Sequence, residues 1–121
     1  MPILDVEVVL APEEALPPGL AAALADHAAA VFRSGPGETW VKLRPLAASG
    51  YAENGGGPDS GVRPVFVSVL RARWPDPERR AVELRQLTEA VARACSRPAE
   101  HVHVSYAQEG AGRAAFGGHL V

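Results

Sequence analysis

Hydrophobic positions along this chain follow one pattern, and they follow it twice. Residues 2–11 read PILDVEVVLA, an alternating run that opens on proline, and residues 64–73 read PVFVSVLRAR, a run of the same kind. The offset between them is 62 positions. Alternation with period two, rich in β-branched residues, predicts a strand in each place. Each run leads into a stretch of helical periodicity. Leu20, Leu24, Ala28 and Val31 mark a helix within residues 17–34; Leu84, Leu87, Val91 and Ala94 mark a second within 77–96. Asp76 followed by Pro77 gives the second helix a sharp start. The carboxylate can take an orphan amide, and proline lacks the N–H that would go unpaired there. Alternation returns in TWVKLRP (39–45) and HVHVSYA (101–107), where Lys42 and His103 sit between apolar neighbours at an offset of 61. A glycine-rich tail closes each half, YAENGGG (51–57) and RAAFGGHL (113–120).

The element order is therefore β-α-β written in tandem, with one unit over residues 2–57 and the other over 64–121. In a β-α-β unit the two strands lie parallel, with the helix crossing over one face. Two such units predict an α+β fold (an α/β two-layer arrangement), a four-stranded mixed sheet with two helices on one face. The opposite face of the sheet is left bare, and covering it is a reason for copies of the chain to associate. Residues 49–63, rich in Gly, Asn, Asp and Ser, read as a loop or hairpin joining the halves. They are not a phosphate cradle, since no Gly-Lys-Ser/Thr follows and no helix opens there.

A length of 121 residues fits a single domain over 1–121. A net charge of -2 gives no pull toward nucleic acid or an anionic membrane, and neither is expected as a partner. No apolar run approaches the span of a bilayer, and Asp5 and Glu7 interrupt any leader-like start. The lone cysteine, Cys95, has no internal disulfide partner and reads as a small buried helix residue, which fits a reducing cytoplasm. No His, Asp or Glu grouping has metal-ligand spacing, and no cofactor is expected.

With the duplication in view, the chain resembles the tautomerase superfamily along its whole length. That group includes 4-oxalocrotonate tautomerase, macrophage migration inhibitory factor and malonate semialdehyde decarboxylase. Its members carry an amino-terminal proline after the initiator Met, here Pro2, and its tandem members assemble as trimers. The closing segment HVHVSYAQEGAGRAAFGG (101–118) resembles the strand and tail of the short tautomerases. On that match His103 stands where 4-oxalocrotonate tautomerase has a pocket arginine, and Phe116 lies near its pocket phenylalanine. PGETW (36–40) resembles a Pro-Gly-Asp segment of the decarboxylase, setting Glu38 at its catalytic aspartate. Arg71 and Arg73 have the separation of an arginine pair in that enzyme. Ala114 takes the place of its pocket tryptophan.

The resemblance implies a defined chemistry. A proline with a free amino group is a secondary amine, and removal of Met1 would expose one at Pro2. Burial and nearby cations disfavour the ammonium form, leaving free base to abstract a proton. Standing two apart on a strand end, Arg71 and Arg73 are expected to leave the same face and to grip a carboxylate and a developing enolate. Trp40 and Tyr106 have the size to line the pocket, and His103 is a donor contributed by a neighbouring subunit or else an ordinary strand-face residue. The expected reaction is tautomerisation of a small 2-oxo or 2-hydroxy-dienoic acid, with a small carboxylate as partner and a homotrimer as assembly. Glu38 raises a decarboxylase or hydratase as the alternative. A third reading is a non-catalytic, ferredoxin-like ligand-binding module, which the element order also permits. His27 and Trp74 are expected to pack and not to react.

Overall fold

A computed structural model describes residues 1–56 and 61–121. Part of the expected 49–63 connection, and Gly57 at the end of the first unit, lie outside the described residues. The strands and helices follow the repeat: β1 (Ile3–Leu10), α1 (Leu20–Phe32), β2 (Trp40–Ala47), β3 (Val65–Leu70), α2 (Pro77–Cys95) and β4 (Val102–Tyr106). The carboxy-terminal tail, in which the sequence predicts no strand, adds a small antiparallel pair, β5 (Ala115–Phe116) with β6 (His119–Leu120).

The sheet order is β2-β1-β3-β4. β1 runs parallel to β2 and β3 parallel to β4, while the two units meet antiparallel at β1 and β3. This overturns the ferredoxin-like alternative, a split β-α-β arrangement. Here the strands of each unit lie side by side, with no strand inserted between them.

Alternation decides which face of the sheet is covered. Leu4, Val6 and Val8 of β1 and Val65, Val67 and Val69 of β3 are buried against Leu20, Leu24 and Ala28 of α1 and Leu87 and Val91 of α2. Each such side chain contributes roughly 1.5–3 kcal/mol when taken from water. On α2 the buried stripe is turned slightly from the expected one: Glu83, Leu87, Ala90, Val91 and Cys95 are buried, whereas Leu84 and Ala94 are only half-buried. Cys95 sits in this core as expected, and burial pushes its thiol up, against a smaller opposing effect of Arg97. His27 is exposed on α1 and does not pack.

Asp76 caps α2 by accepting the Arg79 amide at 2.9 Å, with Pro77 in the first turn, as its sequence signature predicts. The uncovered face of the sheet is polar and aromatic. Asp5 pairs there with Lys42 and Arg44, each at 3.2 Å, and Phe66 stacks obliquely on His103.

At the carboxy-terminal end of β1 the two units are tied by one buried guanidinium. Arg97, just beyond α2, donates to the carbonyls of Val9 and Arg63, both at 3.0 Å, and to Glu14 at 3.3 Å. Glu14 also takes Arg63 at 2.9 Å and the Ala11 amide at 2.8 Å. The residue equivalent to Pro2 in the second unit, Pro64, lies at this end and accepts the Val9 amide at 3.0 Å.

Candidate active site

The amino-terminal end of β1 gathers most of the residues singled out from the sequence. Pro2 is buried, and its carbonyl accepts the Trp40 amide at 3.0 Å, which fixes it to the start of β2. On its other side the ladder with β3 runs to Ile3 and Leu70, and Pro2 and Arg71 each stand one residue beyond that last pair. Met1, which acylates Pro2 in this chain, is exposed.

The two arginines do not behave as a matched pair. β3 ends at Leu70 and the backbone bends at Ala72 and Arg73, so strand alternation, which was expected to send both side chains to one face, no longer governs them. Arg71 turns toward α2. Its Nη1 donates to Oε1 of Glu83 at 2.6 Å, and its guanidinium lies 5.2 Å from the centre of the Phe32 ring. Arg73 is exposed and makes no hydrogen bond or ion pair among the described residues.

Glu83 was missed in the sequence, although a signal was there. It lies four residues before Leu87 on the buried stripe of α2, a place where a carboxylate is retained only with partners. Its side chain is 4% exposed. Besides Arg71, it accepts the hydroxyl of Tyr106. Burial first, and then this carboxylate, hold the Tyr106 phenol well above its ordinary value. Tyr106 therefore reaches the site from the helix-covered side with its proton committed to Glu83, and does not present it to an open pocket.

Trp40 and Phe116 do come together. The indole N–H donates to the Gly37 carbonyl at 2.9 Å, and the two rings meet edge to face with centroids 5.6 Å apart. The tail carries Phe116 there because the amides of Gly110 and Ala111 donate to the carbonyls of Arg71 and Ala72 at 2.8 and 2.9 Å. Gly110 makes this crossing possible: a Cβ would stand 3.2 Å from that of Ala114 and 3.4 Å from the Arg71 carbonyl oxygen. Trp74, also at this end, is partly exposed; its N–H donates to the Ala107 carbonyl at 2.9 Å. Glu38 is exposed in the turn before β2, where its carboxylate accepts the Gly35 amide at 2.8 Å.

These elements also place the molecule among known proteins. No family model matches the sequence, and no curated protein matches it. Solved structures do match, over nearly the whole chain. A fused 4-OT forming a symmetric trimer is 18% identical, with a TM-score of 0.74 over 98% of this chain and 94% of that one. Macrophage migration inhibitory factor from Oncomelania hupensis is 20% identical, with a TM-score of 0.72 over 99% and 82%. The FG41 malonate semialdehyde decarboxylase inhibited by 3-bromopropiolate is 15% identical, with a TM-score of 0.66 over 95% and 90%. The fold is that of the tautomerase superfamily. At these identities the likeness is one of fold.

Within one chain the tautomerase fold leaves His103 apart from the others. It pairs with Phe66, which pairs with Glu7, five residues along β1 from Pro2. At about 3.3 Å per residue along the strand and about 4.8 Å for each of the two strand steps across, that is roughly 19 Å away. His103 instead lines a shallow concavity of about 290 Å³ on the uncovered face, together with Asp5, Arg44, Phe66 and Ser105. A second concavity, about 540 Å³, lies by Glu14 and Pro45 at the opposite end of the sheet. Neither includes Pro2. Among the described residues no cluster of His, Cys, Asp or Glu is arranged to hold a metal, and no helix is long and apolar enough to cross a membrane.

Proposed function

We propose that this chain, once Met1 is removed, is a cytoplasmic tautomerase acting as one domain on small 2-oxo or 2-hydroxy-dienoic acids. The observation that carries the reading is the position of Pro2. It is buried at the head of an inner strand, with Arg71 one residue beyond the last pair of the adjoining ladder and Trp40 held to its carbonyl. Freed of Met1, its nitrogen is a secondary amine in a partly desolvated setting, and burial disfavours the ammonium form. The amine takes a proton from the carbon next to the carbonyl. The C–H electron pair moves into the new C=C bond, the carbonyl oxygen becomes the enolate, and the same proton returns at another carbon. Arg73, unpartnered, binds the substrate carboxylate, and Arg71, already paired with Glu83, contributes N–H donors and no net charge beside the enolate. Trp40 and Phe116 supply an apolar wall.

Association completes the pocket in this reading. The uncovered sheet face and the symmetric trimer formed by the fused 4-OT support a homotrimer, in which His103 of one subunit serves the Pro2 site of another.

The test has two parts. Intact mass should show loss of Met1, and the purified protein should accelerate ketonisation of phenylenolpyruvate. Pro2→Ala should lose most of that rate; an undiminished rate refutes the proposal.

A decarboxylase or hydratase reading has its own support in Glu38, whose exposed carboxylate sits in the turn leading to Trp40. It is also consistent with the inhibited decarboxylase that shares the fold. There Pro2 works as an acid and Glu38 directs water. Titration of the amine separates the two: a pKa well above neutral favours this reading, and one near 6–7 favours the base.

A further inference from the structure

The ion pair under the Pro2 end decides how much charge a substrate meets there. Arg71 was expected to serve as half of a double clamp. Instead its guanidinium is already held by a carboxylate at 2.6 Å, on a side chain that is 4% exposed. Burial leaves that attraction little screened by water or salt. Glu83 is fixed in turn by the Tyr106 hydroxyl on its other oxygen, and Arg71 by the Phe32 ring, so neither partner is free to swing away.

Arg33 and Glu38 occupy the connection between α1 and β2 with opposite signs. Arg113 folds back on the Glu109 carbonyl and on Gln108. Asp76, Glu78, Arg79 and Arg80 at the start of α2 sum to zero. Arg73 is exposed, with one positive charge and no partner among the described residues.

We propose that Glu83 is a positioning residue that fixes Arg71 and cancels its charge, so that this end accepts acids with one carboxylate and disfavours dicarboxylates. The inference rests on the Pro2 reading and deepens it by naming the substrate class. A first carboxylate is received by Arg73. A second finds only Arg71 with the Glu83 carboxylate directly behind it, and must give up its own hydration for an interaction that is nearly neutral.

Binding of 2-oxopentanoate and 2-oxoglutarate, compounds that differ by a terminal methyl against a carboxylate, tests this by calorimetry on the Met1-processed protein. The native chain should bind 2-oxopentanoate about tenfold more tightly. Glu83→Gln, which keeps an acceptor for Tyr106 and removes the charge, should narrow or reverse that ratio, a change that a purely structural defect would not produce. Equal or tighter binding of 2-oxoglutarate by the native protein overturns the proposal, and this comparison decides it alone if Glu83→Gln does not fold. A ratio untouched by Glu83→Gln also overturns it. Because binding is read without turnover, failure here is distinct from failure of the tautomerase reading, which the Pro2→Ala rate reports.

Discussion

Replacing Arg97 with alanine is expected to destabilise the chain by about 3 kcal/mol, because its guanidinium bridges from the second repeat unit to the first. The side chain is 7% exposed and reaches Val9 of β1, Arg63 ahead of β3 and Glu14 in the turn after β1. Its removal takes a donor from the carbonyls of Val9 and Arg63 and, at 3.4 Å, of Cys95. Val9 is only 1% exposed, and an unmet buried acceptor costs about 1–3 kcal/mol. Glu14 loses one of two cationic partners, but at 29% side-chain exposure water recovers part of that loss. The total lies toward the middle of the summed range, and some lost packing of the aliphatic stem adds to it. Urea unfolding at fixed protein concentration reads the change, with an unaltered m-value showing that the unfolded state is unaffected. Arg97→Lys should recover less than half, since one ammonium cannot span carbonyls on two segments. In a double-mutant cycle with Glu14→Gln the coupling should be about 0.5–1.5 kcal/mol. A loss below about 1 kcal/mol for Arg97→Ala would mean that water replaces the guanidinium, and the linking role assigned to it would fail.

Two further expectations concern pH. The Ala11 amide above all, then Arg97 and Arg63, hold the Glu14 carboxyl below its ordinary value against an opposing effect of burial. Its contribution is therefore present above about pH 4.3 and is lost as pH falls through the lowered value. Glu14→Gln should flatten the acid limb of melting temperature against pH, and an unchanged limb counts against it. Tyr106 works in the opposite sense: its phenol is raised, so its contribution holds below about pH 10 and is lost as pH climbs toward the folded value. Tyr106→Phe should be less stable near neutrality and show a shallower alkaline decline by the same measurement.

Most of the frame was legible because it depends on periodicity, a property of neighbouring residues. Leu4, Val6 and Val8 alternate with Asp5 and Glu7, and that alone sets which face α1 and α2 must cover. The cap at Asp76 and Pro77 was legible for the same local reason. What escaped were properties of long-range geometry. β3 stops at Leu70 because the tail crosses at Arg71 and takes its carbonyl through the Gly110 amide, a contact between residues far apart in sequence. Once the strand stops, the two-residue spacing of Arg71 and Arg73 no longer fixes their directions. The pair β5–β6 is two residues per strand around Gly117 and Gly118, too short for any period to show. Glu83 was readable in part, as a charge on an apolar stripe. Its partners Arg71 and Tyr106 sit at positions twelve and twenty-three residues away, and no local pattern links them. Trp40 donates its amide to the Pro2 carbonyl and meets the Phe116 ring, whereas His103 lies apart from them within one chain.

Joining both halves in one polypeptide makes Pro64 permanently unlike Pro2. Its nitrogen is a peptide nitrogen by construction, so no processing event can make it basic. The far end of the sheet is thereby released from any demand for an accessible amine, and Arg97 and Glu14 are free to close it. On the proposed function, the number of basic centres in an assembly of any size equals the number of polypeptides. That is half of what separately made β-α-β units of the same total mass would carry.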